Sequence, residues 1–189
     1  MKKVILSLVL LCGIAFTAQA QEVGSKWVSG SVGVWSSKTG DAKRTTDFNF
    51  VPEFGYVIGE NMGVGVKLGY ARSNMELFGT PVKADSYGVA PFVRYTFCKG
   101  NIGGLFVDGG IGYEHTKYKA TSGGSALKED SFELGFRPGV SVNVCDRVAL
   151  LGTFGFLGYQ HSKIGDTKSN EFGLDLDLSQ VMLGVSFIF

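Results

Sequence analysis

Two histidines, two of the three cysteines and seven charged residues set among apolar neighbours are the groups in this chain that could do chemistry. His161 is followed directly by Ser162, and a histidine beside a hydroxyl is the raw material of nucleophilic catalysis. On a regular strand, however, consecutive residues point to opposite faces. No carboxylate is evidently placed to orient His161 or His115, so both read as solvated side chains next to polar loops. Cys98 and Cys145 fall at the opposite end of the strand pattern from the histidines, which leaves no metal-ligand set. Gly63-Val64-Gly65 lies within a strand rather than before a helix, so it makes no phosphate cradle. No catalytic residue, metal or cofactor is expected. The seven charges are Glu53, Lys67, Arg94, Asp108, Glu114, Glu133 and Arg137. Four acids and three bases on one face suit ion pairing, because an unpaired buried charge costs several kcal/mol.

Those residues must be positioned by strands. Turn signals divide the chain into eight alternating segments. The first, from Trp27, sets Val28, Val32 and Val34 against Ser29, Ser31 and Gly33. The second sets Phe48, Phe50, Pro52, Phe54, Tyr56 and Ile58 against Asp47, Asn49, Glu53 and Gly55. Met62 to Tyr70, Tyr87 to Phe97, Leu105 to Glu114 and Phe132 to Val144 repeat the pattern, with Phe106 out of step. Val148 to Tyr159 is apolar on both faces, so its phase is open. The eighth carries Phe172, Leu174, Leu176 and Leu178, then shifts phase near Ser179-Gln180, where a bulge is expected. Short turns near 59–61, 98–104 and 145–147 alternate with longer polar links near 37–44, 73–84, 116–130 and 162–171. The links carry Lys38, Asp41, Lys43, Arg44, Lys117, Lys119, Lys128, Lys163, Asp166 and Lys168 without a single-sign field.

The two ends of the chain address compartment. Lys2-Lys3, an apolar run from Val4 to Phe16 and Ala18-Gln19-Ala20 have the form of a secretory signal peptide, residues 1–20, leaving a domain at 21–189. Cys12 follows Leu10-Leu11 rather than a small residue, which excludes a lipobox. Without Lys2 and Lys3, 16 Lys and Arg face 17 Asp and Glu, a net charge of −1, so no basic excess invites nucleic acid. The chain has 28 Gly and 15 Phe among its 189 residues, a composition hostile to long helices and tolerable in barrels. At the other end, Val181, Leu183, Val185, Phe187 and Phe189 alternate and finish on an aromatic. A tilted strand of ~9–11 residues crosses a bilayer. An exported chain this apolar either hides that surface in a core or shows it to lipid.

Pro52-Glu53-Phe54-Gly55-Tyr56 followed by Gly59-Glu60-Asn61-Met62-Gly63-Val64-Gly65 resembles the second hairpin of the general outer-membrane β-barrel domain family. The resemblance extends over Lys26 to Phe189, to small eight-stranded barrels of the OmpX and OmpA type. It implies an all-β, eight-stranded antiparallel up-and-down transmembrane barrel in the outer membrane, reached by the general secretory pathway. It also implies a monomer with a structural, adhesive or surface-interaction role and no enzymatic activity. Phe187 and Phe189 would be the assembly signal read by the barrel-assembly machinery, and the other partners would be outer-membrane lipid and lipopolysaccharide. The seven charges would line a lumen closed by its own side chains. Cys98 and Cys145 would share the periplasmic, oxidising side. A disulfide between them needs the 98–104 turn to fold over, because strand spacing otherwise carries them beyond about 7 Å. Two alternatives stand. A secreted, soluble lipocalin-like barrel would put the apolar faces inside. A lipid A-modifying outer-membrane enzyme would use an external histidine and serine.

Overall fold

Alternating sequences lay their backbone out as strands because only a pleated chain sends every second side chain to the same face. The computed structural model describes residues 23–37, 45–77, 80–100, 102–120, 127–165, 167–175 and 182–189. The expected signal residues 1–20, the phase shift at Ser179-Gln180 and the charges Lys38, Asp41, Lys43, Arg44 and Asp166 lie outside them. All regular structure among the described residues is β. The strands are β1 (Lys26–Ser37), β2 (Thr45–Gly59), β3 (Met62–Leu77), β4 (Thr80–Gly100), β5 (Gly103–Ala120) and β6 (Leu127–Cys145). β7 (Val148–Thr153), β8 (Phe156–Ile164), β9 (Thr167–Asp175) and β10 (Met182–Ile188) complete the set.

Every neighbouring pair is antiparallel, and the sheet closes on itself. β6 pairs with β7 along its lower half and with β8 along its upper half, so β7 and β8 are one stave. β9 beside β8 and β10 between β7 and β1 likewise form the last stave, giving eight in all. Trp27↔Ile188 to Ser31↔Gly184 is the closing ladder. The start of β1, the end of β10 and the β2–β3, β4–β5 and β6–β7 connections share one end. Outer-membrane barrels keep short turns at the periplasmic side, so the expected outer-membrane placement would turn this end to the periplasm. Bulges at Val57/Gly59, Thr96/Cys98 and Asn143/Cys145 sit at the foot of three staves, next to these turns.

The apolar faces point outward. Phe54 is 45% exposed while its neighbour Glu53 is 6% exposed. A lipocalin-like barrel requires the reverse, and that alternative is therefore excluded. In a bilayer this surface meets acyl chains, and closure satisfies each backbone donor that lipid could not.

The structure resolves the two ambiguous segments. Phe106 points inward and is 2% exposed, filling the lumen rather than breaking the pattern. Ala149 and Gly152 are buried in β7, where Val148 and Leu150 face out with the neighbouring Phe187 and Val185. Across Phe154-Gly155 the parity reverses, and Leu157 and Tyr159 become the outward residues. Gly155 adopts φ 70°, which glycine reaches without strain. Two half-staves of opposite phase explain why the sequence is apolar on both faces. Phe172 and Leu174 on β9 also face outward, as Leu183, Val185 and Phe187 do on β10.

The links expected at 73–84 and 116–130 are mostly strand. β3 runs to Leu77 and β4 starts at Thr80, while β5 reaches Ala120 and β6 starts at Leu127. Beyond the hydrocarbon there is no lipid to demand an apolar face, so alternation stops while backbone pairing continues. The 98–104 turn shrinks to 101–102 for the same reason.

Space inside is made by glycine. Hydrogen-bonded partners run from Trp27 through Gly55, Gly65, Phe92, Gly110, Gly135 and Gly158 around the wall. A Cβ at Gly55 would collide with the Trp27 ring, and one at Gly139 with the Phe106 ring. Glycine here substitutes for lumen volume. Gly139→Ala should therefore cost about 1–3 kcal/mol through overpacking. Gly173→Ala, where nothing lies within 4 Å of the added carbon, should leave stability unchanged. Urea unfolding from lipid vesicles measures both.

Candidate functional site

The lumen is the first place where chemistry could occur. Inward alternation on β2, β3, β4 and β5 brings Glu53, Lys67, Arg94 and Asp108 together in the half of the barrel nearer the short turns. Arg94 and Asp108 are direct cross-strand partners, as are Glu53 and Lys67. The Arg94 guanidinium donates to Asp108 twice, Nε to Oδ1 at 2.7 Å and Nη2 to Oδ2 at 2.8 Å. Its Nη1 lies 3.0 Å from Glu53 Oε1. Lys67 Nζ donates to Asp108 Oδ2 at 2.6 Å and stands 3.8 Å from Glu53 Oε2. Two cations and two anions thus cancel. The Trp27 indole donates to Glu53 Oε1 at 2.7 Å.

Aromatic rings enclose the quartet. Arg94 lies 4.2 Å from the Phe106 centroid, 5.2 Å from Phe92 and 5.6 Å from Trp27. Lys67 stands 4.6 Å over Phe92. Among the described residues, every fully buried side-chain nitrogen and oxygen has a hydrogen-bond partner. Beside the quartet a void of ≈ 40 Å³ remains, and one of ≈ 80 Å³ lies at the periplasmic mouth. A water needs ~10–15 Å³ of such space, so these voids hold a few waters and make no aqueous channel.

The other three lumen candidates do not join the quartet. Arg137 Nη2 donates to Glu133 Oε2 at 2.5 Å, with its guanidinium 4.6 Å from the Phe156 centroid. Glu114 is exposed and accepts from Thr116 Oγ1 at 3.2 Å. The seven-residue network expected from sequence is thus a quartet, a pair and a solvated carboxylate. Water near the external mouth removes the requirement that Glu114 find a cation.

Cys98 and Cys145 are free thiols. Cys98 faces Leu105, whose other partner is Val140, and Cys145 lies five residues further along β6. β5 runs between them, so they are two strand spacings apart, about 10 Å, before the axial offset is added. A disulfide cannot span that distance.

The histidines correct another expectation. His115 Nδ1 lies 2.7 Å from Asp130 Oδ1, which also accepts from the Tyr113 hydroxyl at 2.6 Å. His161 Nδ1 lies 2.6 Å from Asn170 Oδ1, which accepts from Tyr159 at 2.7 Å. Each histidine is therefore oriented, by partners on the adjoining strand that sequence distance had concealed. Both brackets face outward, whereas Thr116 and Ser162 point inward. Among the described residues, no serine or threonine hydroxyl shares the outward rows with either histidine. The sequence signal for the brackets is a repeat, Gly112-Tyr113-Glu114-His115-Thr116-Lys117 and Gly158-Tyr159-Gln160-His161-Ser162-Lys163.

At the seam, Phe189 N donates to Lys26 O at 2.9 Å and Lys26 N donates to Phe189 O at 2.8 Å, while Phe187 faces outward. Ser29 Oγ donates to Ser186 Oγ at 2.8 Å inside the same ladder. Among the described residues, no group of three His, Cys, Asp or Glu side chains converges to hold a metal.

Residues 5–189 match the family described as outer membrane protein beta-barrel domain. No curated protein sequence matches the chain. Among solved structures, the chain is similar to Ail, the attachment invasion locus protein of Yersinia pestis. The TM-score is 0.51 at 17% identity, covering 89% of this chain and 100% of that one. The same protein in complex with the heparin analogue sucrose octasulfate gives 0.50 at 17% identity, with 89% and 100% covered. Neisserial surface protein A gives 0.49 at 19% identity, with 87% and 96% covered. At such identities the likeness is one of fold.

Removing one member of the quartet strands the others. Asp108→Ala should cost about 3–5 kcal/mol, the penalty for an uncompensated buried charge. Ser186→Ala, which removes one hydrogen bond, should cost about 1 kcal/mol. Urea titration of the folded barrel in vesicles separates the two.

Proposed function

Because this chain belongs to the outer membrane protein β-barrel domain family, we propose that its barrel is a closed scaffold that presents an external surface for attachment. The observation that carries this reading is the Glu53–Lys67–Arg94–Asp108 quartet, packed by Trp27, Phe92 and Phe106 across the lumen. A lumen so occupied offers no path for solute, which leaves the external ends of the strands and their connections as the working surface. The fold likeness to Ail, described as an attachment invasion locus protein, makes attachment the reading to test first. Among the described residues, the outward rows beside His115 and His161 carry no serine or threonine hydroxyl, which supports a non-enzymatic role. Residues 1–20 would direct export, the chain would act as a monomer, and the assembly machinery would read Phe187 and Phe189.

Cells expressing the chain should bind epithelial surfaces several-fold better than cells carrying an empty vector. Planar-bilayer recordings of the folded barrel should give no stable conductance, and lipid A acyl mass should be unchanged. Stable conductance, or an acyl change lost in His115→Ala, would sink the proposal. Deleting Phe189 should lower the yield of folded barrel in the outer membrane more than it lowers export, measured by heat-modified gel mobility against total envelope protein.

A further inference from the structure

The bulges at the foot of β4 and β6 act alike on two side chains. In β4, Arg94 and Thr96 pair with Asp108 and Phe106 on the inward side, and regular alternation would send Cys98 there too. The shift between Thr96 and Cys98 instead sets Cys98 against Leu105, on the outward side with Val107. In β6, Asn143 pairs with the inward Ala149, and the shift after it sets Cys145 against the outward Val148. A bulge re-aims a side chain in this way. Both thiols therefore leave the lumen and stand on the convex outer wall, at the end of the barrel that carries the short turns. Cys145 is exposed, and both thiols are free.

On a convex wall the two side chains diverge. β5 separates them by about 10 Å across the sheet, and Cys145 lies a further ~15 Å along β6 from the residue level with Cys98. A disulfide needs Cα atoms within about 7 Å and side chains turned toward each other. Bringing the two together would strip the foot of β6 from both neighbours. The losses would include Gly103↔Val142, Asn143↔Ala149 and the bond from Asn143 N to Ile102 O at 2.7 Å. Separation, rather than burial, keeps these thiols from each other in the barrel. The unfolded chain is under no such constraint. A flexible segment of roughly 50 residues holds its ends at an effective concentration on the order of 1 mM.

We propose that a Cys98–Cys145 disulfide and the closed barrel are mutually exclusive, so that the oxidation state of the unfolded chain gates assembly. The reaction is thiol–disulfide exchange with a protein dithiol oxidase of the oxidising compartment. One thiolate of the chain attacks the oxidant's disulfide and displaces one of its sulfurs as a thiolate. The second thiolate of the chain then attacks the mixed disulfide, forming the 98–145 bond and releasing the oxidant as a dithiol. The two thiol protons and two electrons pass to the oxidant. A chain oxidised in transit is held open, and reduction returns it to the folding path. A chain that folds first carries the same two thiols beyond each other's reach. The setting rests on the export proposed above, whereas the exclusion rests on the barrel geometry alone.

The test uses the chain as purified from the envelope of an expressing host, unfolded in urea and divided. One part is kept reduced with dithiothreitol. The other is treated with the thiol oxidant diamide in dilute solution, and peptide mapping confirms the 98–145 link. Both are diluted into lipid vesicles, and heat-modified gel mobility reads the folded fraction. The linked chain should fold at least fivefold less than the reduced chain, and dithiothreitol should restore it. The double variant Cys98→Ser, Cys145→Ser should fold equally well after either treatment, as should Cys98→Ser alone. A linked chain that folds in full yield with its link intact overturns the proposal, and so does an unfolded chain that forms no link. A 98–145 link made by diamide in the folded barrel without loss of folded mobility overturns it on unaltered protein. Refolding that obeys the gate, in a chain whose residues 1–20 direct no export, would count against the export reading alone.

Discussion

An eight-staved barrel leaves a lumen only wide enough for side chains, and whatever fills it must satisfy its own hydrogen bonds. Arg94 meets that constraint here. Its planar fork reaches two carboxylates from different strands, and its faces rest on aromatic rings. A lysine could supply the charge but not the fork or the flat surface. Four strands are pinned at one height by this group of side chains, and a one-residue slip in any of them would turn its charge toward lipid.

The glycine ring is the counterpart of the quartet. Trp27, Phe92 and Phe106 are too large for a lumen lined everywhere by Cβ atoms, so each lies over a glycine, Gly55, Gly65 and Gly139 respectively. Aromatics on one stave and glycines on the next keep packing dense without widening the barrel. The same rings shield the ion pairs from water, which strengthens them and raises the cost of removing one partner.

How much of this could be read in the sequence depended on how local each rule is. Alternation is local, and it identified the outward faces of β2 to β6 and the inward positions of Glu53, Lys67, Arg94 and Asp108. Register is not local. Asp130 lies fifteen residues from His115 in sequence yet directly across from it in space, so the oriented histidine was invisible. Lys117, Lys128, Lys163 and Lys168 had looked like loop charges because alternation fades beyond the membrane, although strand pairing persists there. Phe106 looked like an exception because a filled lumen accepts an aromatic wherever glycine lies across from it. The double-faced stretch at 148–159 was unreadable for a different reason: the parity change at Gly155 superimposes two patterns that are each regular.

The quartet also has an electrical consequence. Moving one elementary charge across a membrane potential involves about 2.3 kcal/mol per 100 mV. Lys67 and Arg94 against Glu53 and Asp108 sum to zero, so a displacement of the four together along the barrel axis transfers no net charge. Voltage does no work on this plug as long as the four groups move as one.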